Sequence, residues 1–272
     1  MPSDSNPLGL DADSPSYYRR LDEHTYQPTL HTQGAWQPTE QHMAPVSGLM
    51  THCLEEFNPR EDLQLARISF DILGMITAAP TTVECRTIRR GRTIELDEAV
   101  LSVEGRAVVR AQAWRLSRQD TSEVAGGQPP ALPGPDHYES RVMSEQWAGG
   151  YIASLEVRRD PGTVPGDGRS WLRTTKTLVE DTDVSDIAAY VGLVDTANGV
   201  ATRVEPGDWM FPNVDLGIHL YRTPIAGWIG FDTRVLFGEE GLGLTSSTLH
   251  DIRGPVGRAE QILTVRPMPN AT

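Results

Sequence analysis

"VEGRAVVRAQAWRLSR" (Val103–Arg118) and "IRGPVGRAEQILTVRP" (Ile252–Pro267) read alike with a one-residue offset. Each runs from an apolar residue through a charge and a glycine to Arg-Ala and a nearby glutamine, then alternates. Alternation at period two marks a half-buried strand. A shared ending of this kind marks one structural unit used twice.

The neighbouring sequence repeats in the same order. In the first half "APVSGLMTHCLEEF" (Ala44–Phe57) carries apolar residues at three- and four-residue spacing, with Pro45 suited to a first turn, and predicts a helix. "LQLARISFDIL" (Leu63–Leu73) then alternates Leu63, Leu65, Arg67 and Ser69 against Gln64, Ala66, Ile68 and Phe70. "TTVECRTIRRG", "RTIELDEAVLSVEG" and "RAVVRAQAWRLSR" follow as strands, with turns at Arg90-Gly91 and Glu104-Gly105. In the second half "SWLRTTKTLVE" (Ser170–Glu180) predicts a strand. A helix is expected over Val184–Asn198, with Asp183 as N-cap and Asn198-Gly199 as its stop. Four strands follow: "NVDLGIHLYR", "GWIGFDTRVLFG", "LGLTSSTLHDI" and "GRAEQILTVRP".

"SRQDTSEVAGGQPPALPGPDH" (Ser117–His137) has linker composition and divides the chain. The expected organisation is a disordered leader over residues 1–20, units over 21–117 and 141–272, and a Pro/Gly-rich linker over 118–140. The fold class is α+β: two tandem antiparallel sheets, each curved around one helix. Edge-to-edge pairing of the sheets would protect their open edges.

A net charge of -13 over 272 residues argues against a nucleic-acid surface, which needs a basic stripe. Cys53 and Cys85 show no paired framework and fit a reducing compartment. No apolar run is long enough to span a membrane, and the N-terminus lacks a signal-peptide pattern, so a cytoplasmic protein is expected. There is no GxSxG elbow, GxxxxGK[ST] loop or HExxH, and "GLGLTS" (Gly241–Ser246) lacks the third glycine of a nucleotide loop. His24, His31, His42 and His52 have no metal-ligand spacing and read as solvated or packed side chains. Asp215 and His219 share a strand face and could pair. Neither a metal nor a cofactor is expected.

Three polar residues are poorly explained by folding alone. Asp195 sits late in its helix, where the negative end of the macrodipole opposes a carboxylate by roughly 0.3–1 kcal/mol. Asn213 opens the next strand. Gln261 falls in register with Leu263 and Val265, while Ile262, Thr264 and Arg266 face the other way. If the helix crosses the concave sheet, this acid and two amides converge and suit the holding of one water molecule. That arrangement is a hydrolytic site without serine or metal, fitted to an activated ester.

From about Tyr26 to Pro267 the sequence resembles the acyl-CoA thioesterase II-like double-hotdog proteins, in their actinobacterial branch. "VGLVDTANG", "WMFPNVDLGIHLYR" and "GLGLTSSTLHDIRGPVGRAEQ" with "ILTVR" carry the resemblance. It implies that Asp195, Asn213 and Gln261 position the hydrolytic water of an acyl-CoA thioesterase. Two positions depart from the pattern: Asn213 stands where Thr or Ser is common, and Met43-Ala44 where Gly-Gly usually precedes the first helix. Amides at a helix start, near Ala44 or Val184, are expected to stabilise the oxyanion. A non-catalytic acyl-CoA or lipid binder is the alternative. A hotdog hydratase or dehydratase is a third reading, but that chemistry usually relies on an Asp–His pair near a helix start, and the Val184 helix has no histidine. The expected partners are acyl-CoA and further copies of the chain.

Overall fold

The computed structural model describes residues 5–269. Strands β1 (Ser16–Arg20) and β2 (Thr25–Pro28) form a hairpin ahead of helix α1 (Met43–Phe57), which is followed by β3 (Leu63–Ile72), β4 (Thr81–Arg89), β5 (Ile94–Val103) and β6 (Arg106–Ser117). The second half opens with β7 (Glu139–Arg141), a single-turn helix α2 (Gly150–Ala153), β8 (Leu155–Arg159), β9 (Asp167–Thr174) and β10 (Thr177–Val179). Helix α3 (Asp186–Val194) and the single-turn α4 (Ala197–Val200) come next. The chain continues through β11 (Trp209–Met210), β12 (Asp215–Leu220), β13 (Ile229–Phe237), β14 (Leu242–Asp251), β15 (Gly254–Thr264) and β16 (Arg266–Pro267).

Fourteen of these strands make one sheet in the order β10-β1-β2-β4-β5-β6-β3-β12-β15-β14-β13-β9-β8-β7. Its two halves mirror each other. The run β2-β4-β5-β6-β3 corresponds to β9-β13-β14-β15-β12, and antiparallel pairing of β3 with β12 joins them edge to edge, with Ser69 opposite Gly217. Each unit therefore covers the other's open edge, as the duplicated sequence implied.

Inside the sheet, α1 and α3 pack against each other antiparallel. Ser185 at the start of α3 donates to Glu55 near the end of α1 at 2.6 Å, while His42 at the start of α1 lies against Asp195 at the end of α3. Small residues make the crossing tight: a Cβ at Gly48 would stand 2.8 Å from the Gly192 Cα. Around it Val46, Leu49, Met50, Val191 and Val194 are fully sealed from solvent.

Several sequence expectations change here. The N-terminal segment is not a disordered leader as far as residue 20. Residues 1–4 lie outside the described residues, but Tyr17 and Tyr18 are buried on β1, which pairs with β2 and in parallel with β10. Two large rings supply a burial drive that the Pro/Ser-rich composition ahead of them hides. The α3 N-cap is Ser185, not Asp183, because its hydroxyl reaches the Ala188 N–H at 3.1 Å. Helix α3 ends at Val194, and Asp195 is its C-cap. In β3 a register shift between Leu65 and Arg67 puts Leu63, Ile68 and Phe70 on the buried side, which breaks the simple alternation. "SWLRTTKTLVE" divides between β9 and β10. Residues 118–131 of the proposed linker are exposed, and Trp171 Nε1 donates to the Pro133 carbonyl at 2.8 Å just beyond them.

Candidate active site

Asp195 is 4 % exposed at the end of α3. Asn213, one residue beyond Pro212 and two before β12, donates from Nδ2 to Asp195 Oδ1 at 2.7 Å. Gln261 on β15 donates from Nε2 to the same oxygen at 2.9 Å. The sheet register explains why a glutamine arrives there: Gln261 and Leu263 are fully buried on the helix-facing side, while Ile262 between them is 44 % exposed. The two amides therefore fill Oδ1 and leave Oδ2 for other partners. Gln261 Oε1 is buried and receives no hydrogen bond among the described residues. An acceptor of that kind is costly unless a donor reaches it.

Burial pushes the Asp195 carboxyl up to about 6, and the amide donors Asn213 and Gln261 only partly offset that rise. The negative end of α3 adds to the disfavour, but the antiparallel crossing brings the positive end of α1 to the same place. The first turn of α1 supplies few amides: Pro45 has none, and Ala44 N–H donates to His42 Nδ1 at 3.1 Å. Met43 N–H has no acceptor among the described residues. Of the two helix starts considered for oxyanion binding, only the one near Ala44 meets Asp195. Val184 lies at the opposite end of the helix pair, beside Glu55.

His42 joins this cluster although periodicity does not predict it. It is neither solvated nor merely packed: its Nδ1 stands 3.4 Å from Asp195 Oδ2, and its ring lies 4.3 Å from that of buried Tyr151. The available signal was its place immediately ahead of the first helix run, the N-cap position. The Asp215–His219 pairing that a shared strand face left open does not form, because four residues along a strand span about 13 Å. Asp215 instead accepts from the Ile262 N–H at 2.6 Å.

A cavity of about 500 Å³ opens over this cluster, with Trp36, His42, Met43, Asp195, Asn213 and Arg266 among its walls. Trp36 stacks edge-on against Trp147 and Phe211, at centroid distances of 5.2 and 5.3 Å, which fixes one wall. No group of His, Cys, Asp and Glu among the described residues is arranged to hold a metal.

The duplicate unit does not carry a second copy. Hairpins β14–β15 and β5–β6 share a register: Leu249 faces Gly257 beside a bulge, as Leu101 faces Val109 beside a bulge. The pair Thr245–Gln261 thus corresponds to Asp97–Ala113. Alanine has no amide to offer. Asp97 is occupied by Thr87 at 2.8 Å, Asn58 at 3.3 Å and Arg115 at 3.6 Å. Among the described residues the constellation occurs once per chain.

Two helix-wrapped sheets fused edge to edge make a double hotdog protein, with one buried acid–amide cluster where the end of α3 meets the sheet. Residues 32–116 match the acyl-CoA thioesterase N-terminal domain, and residues 128–265 match the acyl-CoA thioesterase C-terminal domain. The chain belongs to this acyl-CoA thioesterase family and is a thioester hydrolase. Solved structures agree on the fold. A hot dog fold protein from Alicyclobacillus acidocaldarius is 14% identical with a TM-score of 0.73, covering 91% of this chain and 95% of that one. The acyl-CoA thioesterase II TesB2 from Mycobacterium marinum is 15% identical with a TM-score of 0.66, covering 94% and 96%. The tesB protein of Mycobacterium avium subs. paratuberculosis is 14% identical with a TM-score of 0.63, covering 92% and 96%. A search of curated protein sequences gives no match.

Proposed function

We propose that this chain hydrolyses an acyl-CoA thioester by direct attack of water, with Asp195 as general base. Water bonded to Asp195 Oδ2 gives up its proton there as its oxygen attacks the carbonyl carbon. Asn213 and Gln261 hold the carboxylate through Oδ1, which leaves Oδ2 for the water. Amide N–H groups at the start of α1 receive the charge that develops on the carbonyl oxygen. Collapse of the tetrahedral intermediate breaks the C–S bond and releases CoA thiol and acid. The observation that carries the reading is a buried carboxylate in the cavity wall whose Oδ1 is filled by two amides while Oδ2 accepts from neither.

Thiol release from acyl-CoAs of short to long chain tests the proposal. Gln261→Ala and Asn213→Ala each remove one hydrogen bond to a charged group, worth roughly 1.5–3 kcal/mol, so kcat should fall about 10- to 100-fold in each with the fold retained. Unchanged kcat in both would remove them from the chemistry. Turnover needs no added cofactor in this scheme. Binding of acyl-CoA without release by the parent protein would favour the non-catalytic binder, in which Met43 blocks approach of the carbonyl.

Arg266 lines the cavity, and its guanidinium has one hydrogen bond, to Thr264 Oγ1 at 3.1 Å, with no carboxylate partner among the described residues. It is therefore available to the CoA phosphates. Arg266→Ala should raise KM roughly fivefold, corresponding to about 1 kcal/mol for an exposed ion pair, and leave kcat unchanged. A change in kcat alone would count against it.

A second reading, hydration of a 2-enoyl-CoA, draws support from the His42–Asp195 contact, because the histidine missing from the Val184 helix arrives from the other half. Loss of enoyl absorbance without thiol release would identify it. A cytoplasmic location belongs to the same proposal, since the free thiols of Cys53 and Cys85 suit a reducing compartment. No described helix is long and apolar enough to cross a membrane. Exposed Leu236, Leu242 and Ile262 on the outer sheet face support self-association.

A further inference from the structure

His42 is given two competing uses for one atom. Its Nδ1 accepts the Ala44 N–H at 3.1 Å and also stands 3.4 Å from Asp195 Oδ2. A ring nitrogen cannot accept from one group and donate to the other at once. With the ring proton on Nε2, Nδ1 caps Ala44 and presents a lone pair to Asp195, a favourable contact only when Asp195 carries a proton. With the ring proton on Nδ1, His42 donates to ionised Asp195 and the Ala44 N–H is released.

We propose that the tautomer of His42 couples the two halves of the catalytic apparatus, so that ionised Asp195 and a free Ala44 N–H occur together. The inference rests on the reading of Asp195 as general base. The step balances as one proton lost. Asp195 passes its proton to Nδ1, the Nε2 proton leaves to solvent, and the ring remains neutral. His42 lines the cavity, and Nε2 has no hydrogen-bond partner among the described residues, so that proton has an exit. Burial drives the ring down to about 3, which keeps it uncharged and makes a change of tautomer, not of charge, the relevant event. The state ready to take a proton from water is then also the state ready to receive the carbonyl oxygen.

The groups facing this pair are few. Tyr151 packs on His42 and bonds Thr196 at 2.6 Å, and burial holds its phenol well above the usual tyrosine range. Glu40 and Arg266 share the cavity wall, and neither has a hydrogen bond or ion pair with Asp195. Asn213 and Gln261 do not titrate.

The test combines pH–rate profiles with ring nitrogen NMR on the full chain. The NMR experiment on the parent protein should show Nδ1–H above the acid limb of kcat and Nε2–H below it. A tautomer that stays fixed across that limb overturns the coupling. His42→Phe keeps a ring against Tyr151 but removes the donor to Asp195. Its acid limb should move up by about one pH unit, with a plateau about tenfold lower. His42→Asn can donate to Asp195 while capping Ala44, and should return the limb to its parental position. A His42→Phe profile displaced only in height, with the limb unmoved, assigns His42 a structural role and also overturns the proposal. Retained activity in Asp195→Asn would instead remove the general-base reading, and the NMR result separates that failure from a failure of the coupling.

Discussion

Asp195→Asn is expected to lower kcat by about 10³-fold on every acyl-CoA the parent hydrolyses, within the 10²–10⁴ that a positioned general base contributes. The substitution is nearly isosteric, and the oxygen of the introduced amide can still accept from Asn213 and Gln261, so the loss reports the missing base and not a collapsed site. The parent's pH dependence should show the same group. As the proposed general base, Asp195 has to be ionised to take the proton of water, and burial raises its carboxyl to about 6, so kcat should fall as pH drops through about 6. Asp195→Asn should lose that limb.

Stability should move the other way. A carboxyl whose folded value lies above its ordinary value of 3.8 binds more protons in the native state than in the unfolded state between those values. Its contribution is therefore fully present below about pH 4 and is lost as pH rises through about 6. A shift of that size corresponds to up to about 3 kcal/mol of differential stability. Asp195→Asn should raise Tm at pH 8 and make little difference at pH 4. A variant that melts lower than the parent at pH 8 would mean that the carboxylate is held for structure rather than for chemistry.

The duplication, the edge-to-edge sheets and the inward face of Gln261 were legible because each rests on local period or on self-similarity. Ile262 exposed between buried Gln261 and Leu263 is a direct consequence of strand alternation. Asp195 was visible as a residue at odds with its helix terminus. His42 was not. It meets Asp195 only because two helices from different halves cross antiparallel, and no local pattern reports which helix ends are neighbours. The faces of β3 were misread for a related reason: the bulge at Leu65–Arg67 slips the alternation by one residue, and the sequence alternates straight through it. Tyr17 and Tyr18 show the limit of composition, which averages two core-forming rings into a polar segment.

The helix crossing that makes the site also yields the second large prediction. Gly48→Ala places a Cβ 2.8 Å from the Gly192 Cα and 3.1 Å from the Ala188 carbonyl oxygen, both backbone atoms that no rotamer change can move. The helices must separate. Two backbone contacts this short put the cost near the top of the about 1–3 kcal/mol typical of overpacking, while alanine regains about 1 kcal/mol of helix propensity, so a net loss of about 2 kcal/mol is expected. For a chain of this size that is a fall in Tm of roughly 4–8 °C. The reciprocal change is not equivalent. A Cβ on Gly192 meets the Gly48 Cα at 3.4 Å and the Ala44 carbonyl oxygen at 3.9 Å, ordinary contacts, so Gly192→Ala should leave Tm unchanged or raise it slightly. Activity gives the sharper contrast, because His42 and Ala44 ride on α1 and Asp195 on α3. At a temperature where both variants are folded, Gly48→Ala should lose kcat by about tenfold and Gly192→Ala should not. Equal behaviour of the two in melting and turnover would show that the crossing is looser than these distances and does not set the His42–Asp195 separation.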